Sequence, residues 1–214
     1  MINSAGTGWR EGRRRSARDA IVEAAWILVR EEGLAALSLR DLARRAGITT
    51  PTVYSYFDSK NAIYDAMFGQ AASEFADNVA EVDDGDSPRE FLIAALRRFF
   101  DFCTSDPARY QLLFQRTLPG FEPSPESYEP AVRALALTKA RLASHGVTEA
   151  RCVDLWTALN TGLVDQQVSN DPGGDRWSRL INDTVDMFLA HCRPAPPSPK
   201  SKKKSPTRTE RASA

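Results

Sequence analysis

Hydroxyl side chains are concentrated in one short stretch of this chain, which runs from Thr49 to Phe57 with the sequence TTPTVYSYF. The stretch contains no Lys, Arg, Asp or Glu. A surface helix that served only solubility would normally carry such charges. Hydroxyl and methyl groups on an uncharged helix can instead bond to base edges and phosphates in the major groove of a duplex. The chemistry predicted here is recognition by hydrogen bonding.

The elements around this stretch predict a helix-turn-helix. Ser38 is a good N-cap for a first helix, and Gly47 ends that helix because the residue after the last turn often needs a positive φ. The second helix is predicted to start at Thr49 or Thr50. Pro51 then lies at or near its first position, where a missing N–H costs nothing.

A third helix follows at once. Ser59 is its predicted N-cap and Lys60 its first residue. The backbone N–H groups of a helix N-terminus attract anions, so this start and Lys60 together predict a phosphate site. Val53 and Phe57 lie four residues apart on one face of the preceding helix, and we expect both to be buried.

The segment from about Arg18 to Phe68 resembles the DNA-binding domain of the TetR family of bacterial transcriptional regulators. The resemblance covers about a quarter of the chain. It rests on residues that occur in the family's order and spacing: Gly33, Ser38, Asp41-Leu42-Ala43, Ala46-Gly47, Thr52-Val53-Tyr54, Tyr56-Phe57 and Ser59-Lys60.

The resemblance implies roles for individual residues. Tyr54 resembles the tyrosine that touches the phosphate backbone, and Lys60 resembles the lysine that closes on phosphate. Arg40 lies where some members reach a guanine, although a solvated helix charge is the alternative. Tyr56 either contacts DNA or packs with Phe57. The predicted DNA-binding residues are Ser38, Arg40, Thr49, Thr50, Pro51, Thr52, Tyr54, Ser55, Tyr56 and Lys60.

The charge distribution agrees with a nucleic-acid partner. The 214 residues have no net charge, but residues 1–65 carry +2, residues 66–192 carry −8 and residues 193–214 carry +6. Basic ends attract phosphate, and an acidic middle keeps the other face off the duplex. The arginines before the first helix could lie along phosphates or reach a minor groove, or they could be a solvated arm: Arg10, Arg13, Arg14 and Arg15.

Other functional classes find little support. No paired carboxylates, nucleophile–base set or glycine-rich phosphate loop indicates an enzyme. Cys103, Cys152 and Cys192 are widely spaced in apolar helical contexts, so we expect buried, reduced thiols in a cytosolic protein, with a redox sensor as the alternative. We expect no metal site and no cofactor, because only His145 and His191 are available and no pair has ligand spacing.

The hydrophobic pattern predicts an all-α chain of about nine helices. Its four predicted parts are a disordered basic arm (1–16), a three-helix DNA-binding domain (17–66), a helical bundle for ligand binding and dimerisation (67–192) and a disordered basic tail (193–214). A long helix joins the two domains. Helices are expected to begin at Ser87, Asp106 and Thr148, and the last to run from about Arg176 to Cys192.

The family resemblance implies that the bundle forms a homodimer and encloses an effector. The last two helices are the predicted dimer pair, because their apolar faces look too broad for one side of a monomer. A dimer is expected because one recognition helix reads only a few base pairs, and two are needed, spaced by about one DNA turn, ~34 Å, or a multiple of it. An apolar or aromatic effector is expected in a pocket, although the same residues could be plain core: Phe99, Phe102, Tyr110, Phe114, Trp156 and Asn160.

The sequence thus predicts a cytoplasmic, homodimeric, ligand-responsive repressor that binds a palindromic operator. A transcriptional activator and a ligand-independent architectural DNA-binding protein are the alternatives. No membrane partner is expected, because no apolar run approaches the ~20 residues that span a bilayer.

Overall fold

The computed structural model describes the backbone of residues 4–192 and the side chains of residues 12–192. Within that range the chain is all-α, with nine α-helices and no strand, as the sequence predicted. Short 3-10 turns at Leu34–Ala36 and Ser178–Leu180 complete the fold. The helices are α1 Ser4–Glu32, α2 Leu39–Arg45, α3 Thr50–Tyr54, α4 Lys60–Ala80, α5 Pro88–Ser105, α6 Pro107–Phe114, α7 Pro125–Ser144, α8 Ala150–Asn170 and α9 Ile181–His191.

Side-chain caps set the starts of four helices where the sequence predicted them. Ser38, Ser59 and Ser87 precede α2, α4 and α5, and each side chain accepts a hydrogen bond from the backbone N–H three residues later. Asp106 does the same for α6. The tight turn between α2 and α3 is made by Gly47, whose φ of +68° a side chain would strain.

The predicted disorder of residues 1–16 is wrong for residues 4–16, because α1 begins at Ser4. Residues 4–16 contain no proline, and the arginines among them are good helix formers. Once the amphipathic part of α1 has formed, each added residue extends it without the cost of nucleation. Residues 4–16 are therefore a helical extension of α1.

Two predicted helix starts are also corrected. The N-cap of α8 is Glu149, not Thr148, and its side chain makes no cap bond. The last helix begins at Ile181, later than expected, because side chains of α8 and the turn after it bind the intervening backbone. Gln167 accepts from Trp177 N–H at 3.0 Å and Asp171 accepts from Arg176 N–H at 2.9 Å.

The described residues pack around two hydrophobic cores. The first, called the head core, joins α1–α4 and also takes in Ala108 and Leu112 of α6. The second, called the body core, joins α5–α9. Helix α4 lies along both, so packing continues across the boundary predicted at residue 66. That boundary stays a prediction, and the basic tail, 193–214, lies outside the described residues.

None of the helices between residues 4 and 192 has the length and apolarity that crossing a bilayer requires.

Candidate nucleic-acid interface and cavity

Helix α3 is held by its apolar face and presents its polar face. Val53 and Phe57 are buried in the head core, as predicted. Tyr54 is 52% exposed, a large fraction for an aromatic side chain. The exposed surface of α3 and its flanks also includes Thr49, Pro51 and Ser55, with Thr50, Thr52 and Tyr56 partly exposed. The structure therefore brings seven of the predicted DNA-binding residues onto one uncharged surface.

Local hydrogen bonds orient the hydroxyl groups of this surface. Thr49 Oγ1 caps α3 by accepting from Thr52 N–H at 3.3 Å, and the two threonine hydroxyls lie 2.8 Å apart. Ser55 donates its hydroxyl to the Thr52 carbonyl at 2.7 Å. The Ser55 oxygen keeps lone pairs for an outside donor such as an adenine or cytosine amino group.

Lys60 and Ser38 lie at the starts of helices beside this surface. The Lys60 Nζ donates to the Ala35 carbonyl at 3.2 Å and sits 5.4 Å from the Tyr64 ring centre. An ammonium has three donors, so the group retains capacity for a phosphate oxygen at the start of α4. Ser38 Oγ accepts from Asp41 N–H at 3.1 Å, so the structure assigns it a capping contact.

The arginines of α2 differ in their partners. Arg44 bonds to Asp41 at 2.6 Å, and Arg45 forms an ion pair with Glu31. Arg40 is exposed, and no ion pair or hydrogen bond involves it among the residues that the structure describes. Of the three, Arg40 therefore has the guanidinium most available to a phosphate or a guanine.

Sequence reasoning missed Arg18. Its Nη1 donates to the Tyr56 carbonyl at 2.6 Å, and its guanidinium carbon lies 4.3 Å from the centre of the Phe57 ring. These contacts fix α1 against the end of α3. A separation of 38 residues hid the pairing. The visible signal was the position of Arg18 between the run Arg13–Arg15 and the apolar stripe of α1.

A cavity of about 370 Å³ lies in the body between α4 and α7, with further walls from α5, α6 and α8. Its size is in the range of small-molecule sites, and its walls are mostly apolar. Two stripes line its length. One follows α4 and the residues just after it, and the other lies on α7: Phe68, Ala72, Phe75, Val79 and Val82, and Tyr128, Ala131, Leu135, Thr138 and Leu142. The stripe on α7 covers fourteen residue steps, about 21 Å at the helical rise, so the cavity is elongated.

Four of the six predicted pocket residues line this cavity, namely Phe99, Phe114, Trp156 and Asn160. Phe102 and Tyr110 do not, and both are buried. Phe102 packs its ring under the Arg109 guanidinium, whose carbon is 4.0 Å from the ring centre. Burial raises the pKa of Tyr110 to about 12, as expected for a phenol enclosed by the body core.

Asn160 and Arg141, two polar residues of the cavity wall, differ in whether their side chains already have hydrogen-bond partners. Asn160 is only 7% exposed, and its Oδ1 has no hydrogen-bond partner within the described part of the chain. The Arg141 guanidinium donates to the carbonyls of Val79 and Val82 and pairs with Asp84. That charge is already neutralised, and it holds the pKa of Asp84 below its usual range. The cavity thus offers one unsatisfied amide in apolar surroundings.

Two polar contacts join the head to the walls of the cavity. Arg30 of α1 pairs with Asp106, the N-cap of α6, at 2.8 Å, and the Asp106 side chain is only 9% exposed. Asp65 of α4 accepts hydrogen bonds from Ser124 and Ser127 at the start of α7. Both α6 and α7 contribute to the cavity, so the head is bonded directly to two of its walls.

The expectation of three reduced thiols is wrong for two of them. Cys152 at the start of α8 and Cys192 after α9 form a disulfide, with Cα atoms 5.9 Å apart. Helices α8 and α9 run antiparallel, which brings residues forty positions apart together. Cys103 is free and buried, and burial raises the pKa of its thiol well above the ordinary value.

Residues 12–192 include no group of three or more histidine, cysteine or carboxylate side chains placed to hold a metal ion.

Comparison with known proteins places these features in a family context. The family model described as bacterial regulatory proteins, tetR family, matches residues 21–67, the segment that holds α2, α3 and the start of α4. The regulator EthR of Mycolicibacterium smegmatis is 37% identical over 198 residues, a match that covers 83% of this chain and 88% of EthR.

A second relative matches over a shorter region. The transcriptional regulator Rv1816 of Mycobacterium tuberculosis is 33% identical over 124 residues, covering 55% of this chain. The chain thus spans about half the length, 53%, of that relative.

A solved structure shows the same fold. FadR of Bacillus subtilis, in complex with stearoyl-CoA, superposes with a TM-score of 0.61 at 18% identity, covering 80% of this chain and 97% of FadR.

Proposed function

Because the chain belongs to the tetR family of bacterial regulatory proteins, we propose that it is a repressor that binds a palindromic DNA operator as a homodimer. In this proposal a small molecule in the cavity releases the protein from its operator. The site of action is the cytoplasm, where bacterial DNA lies.

One observation carries the DNA-binding part of the proposal. The exposed face of α3 has hydroxyl, methyl and phenol groups and no charge, and cationic groups flank it at Lys60 and Arg40. Charges at the rim suit phosphates, and neutral polar groups in the centre suit base edges. A binder without sequence preference would instead line the central helix with Lys and Arg.

The outer faces of α8 and α9 support the proposed dimer. Met187 on α9 is 61% exposed, an unusual state for a large apolar side chain. On α8, Ala158 and Gly162 are exposed, and a Cβ added to Gly162 would meet no neighbouring atom. Small residues on one helix and a protruding apolar residue on the next allow close packing against a second copy in a four-helix interface.

The cavity supports an elongated, mainly apolar effector. Its single charged wall residue, Arg141, is already paired, so an anionic head group gains little there. The free Oδ1 of Asn160 favours a ligand that carries one hydrogen-bond donor. The stearoyl chain of the stearoyl-CoA bound by the FadR neighbour is elongated and apolar, in line with this class.

Release follows from the contacts between the head and the cavity walls. A ligand that separates α4 from α7 would favour a dimer in which the two α3 helices no longer match successive major grooves. Such a population shift requires only that the ligand bind the second arrangement more tightly.

The first test is selection of bound sequences from a random duplex library by the purified protein at physiological salt. A palindromic motif is expected, and its half-site spacing would report the distance between the two α3 helices. If the protein binds duplexes without enriching a motif, and this binding is lost as the salt concentration rises, the proposal is rejected and an architectural role is favoured.

A second experiment tests the cavity. The apolar fluorophore 1,6-diphenylhexatriene should bind the wild type, and Ala131→Trp, which fills the cavity wall, should reduce its fluorescence. Ala140→Trp on the same helix, outside this cavity's wall, is the control and should not. Equal fluorescence for both variants would place the dye elsewhere and remove support for an effector in this cavity.

A further inference from the structure

The N-terminal part of α1 carries a run of exposed positive charge. Arg13, Arg14 and Arg15 are exposed, and Arg18 follows one turn later. Residues 12–18 contain four arginines and no acid, and Glu11 and Asp19 lie on either side of them. We call residues 13–15 the basic segment.

The position of the basic segment is fixed beside α3. Arg13 and Arg14 line a concave surface together with Ser55 and Tyr56, which close the C-terminal end of α3. Arg18 anchors this arrangement through its bond to the Tyr56 carbonyl. The basic segment thus stands at a defined distance from the surface that faces the major groove, unlike a solvated tail.

Three consecutive arginines give this turn of α1 a net positive charge even with Glu11 and Asp19 on either side of residues 12–18, and such a patch attracts anions. When a helix lies in the major groove, each of its ends is near one of the two phosphate backbones that border the groove. The end of α3 that carries Ser55 and Tyr56 therefore brings Arg13 and Arg14 towards one of these backbones. Arginine is well suited to this partner because its planar guanidinium can bind phosphate oxygens in pairs.

We propose that the basic segment of α1 binds DNA phosphates flanking each half-site, so that the contact extends beyond the base pairs that α3 reads. This inference rests on the proposed operator binding. It concerns a surface outside the helix-turn-helix, and it predicts affinity without sequence preference, since phosphates carry no base information.

The test compares Arg13→Gln/Arg14→Gln with the wild type on the operator recovered by selection. Binding is measured by fluorescence anisotropy over a series of KCl concentrations. Each lost phosphate contact should lower the slope of log affinity against log salt by about 0.9, so about 2 per protomer for two arginines. Affinity at low salt should fall at least ten-fold, and the ranking of operator variants should not change.

The control is Arg97→Gln/Arg116→Gln, which removes the same charge from exposed positions in the body. This pair should leave the slope at the wild-type value. Arg13→Lys/Arg14→Lys keeps the charge and should restore most of the slope, which separates phosphate binding from a fold defect in the glutamine variant.

A second experiment varies the length of the DNA duplex. Removing base pairs outside the two half-sites should weaken the wild type and leave Arg13→Gln/Arg14→Gln unaffected. A wild-type slope in the glutamine variant, or equal losses for both proteins on the short duplex, would overturn the inference. If the wild type selects an operator and the glutamine variant keeps the wild-type slope, only this inference fails. If the wild type selects no operator, the proposed function fails too.

Discussion

The carboxylate of Asp65 accepts hydrogen bonds from both the backbone N–H and the hydroxyl of Ser124, at 2.6 and 2.9 Å. A second hydroxyl, from Ser127, donates to the same carboxylate at 2.9 Å. One side chain in the second turn of α4 thereby holds the first turn of α7. Gly69, one turn further along α4, lies so close to Ser127 that an added Cβ would be 3.1 Å from its Oγ.

Replacing Asp65 by Ala should lower the free energy of unfolding by about 1–3 kcal/mol, because three donors in a half-buried place lose a charged acceptor. Denaturation in urea, followed by circular dichroism, measures the change. Asp77→Ala is the matched control on the same helix. It is exposed and should change stability by less than about 0.5 kcal/mol. Equal effects at the two positions would show that the Asp65 contacts contribute nothing specific.

The phenol of Tyr54 and the hydroxyl of Thr52 should affect DNA binding in different ways. Tyr54→Phe removes one hydrogen bond to phosphate, so affinity should fall by about 0.5–1.5 kcal/mol on every sequence alike. Thr52→Ala should instead change the base preferred at one position of each half-site. Repeating the library selection with both variants measures this. A uniform loss for Thr52→Ala would contradict its role in reading bases.

Reduction should destabilise the body because the Cys152–Cys192 bond closes a loop with a sequence separation of forty. Loops of this size predict a loss of about 2–4 kcal/mol when the bond is broken. Guanidinium unfolding with and without dithiothreitol measures it, and Cys152→Ala/Cys192→Ala should show no response to the reductant. Alkylation of both thiols in the folded, untreated protein would mean that the bond does not form.

The proposed dimer depends on the outer face of α9. Met187→Glu should shift the protein towards monomer, because a charge in an apolar interface must be desolvated. Light scattering coupled to size-exclusion chromatography gives the molar mass. Val132→Glu on α7 is a matched control, since Val132 is also half exposed, at 52%, but lies on another face. A dimer that survives Met187→Glu and dissociates in Val132→Glu would move the interface to α7.

Local features of this chain were predictable from sequence. The side chains of Ser38, Ser59 and Ser87 each accept a hydrogen bond from a backbone N–H three residues later. The residues that predict each helix start are therefore the same residues that make its cap. The same holds for the turn at Gly47. Helix periodicity likewise identified the buried Val53 and Phe57.

Contacts between distant segments were not predictable from one sequence. Arg18 meets Tyr56, and Asp65 meets Ser124, only after the helices have packed. The pairing of cysteines also depends on tertiary placement. For the cavity, the hydrophobic periodicity predicted which face of each helix is buried, but it did not predict where a space remains between the packed helices. Phe99 therefore lines the cavity, whereas Phe102, on the same helix, packs elsewhere.

The head core is completed from outside the matched family segment, by Ala108 and Leu112 of α6. The helices of the DNA-binding segment therefore depend on α6 to complete their core. In a chimera that joins residues 12–66 to the body of a relative, the apolar surface of α1 and α4 would be covered only where the relative's own α6 carries side chains of matching size. Recombination that kept α6 with its own head would preserve the fit. We infer that new operator preferences in such a chain arise more readily by substitution on α3 than by exchange of whole heads.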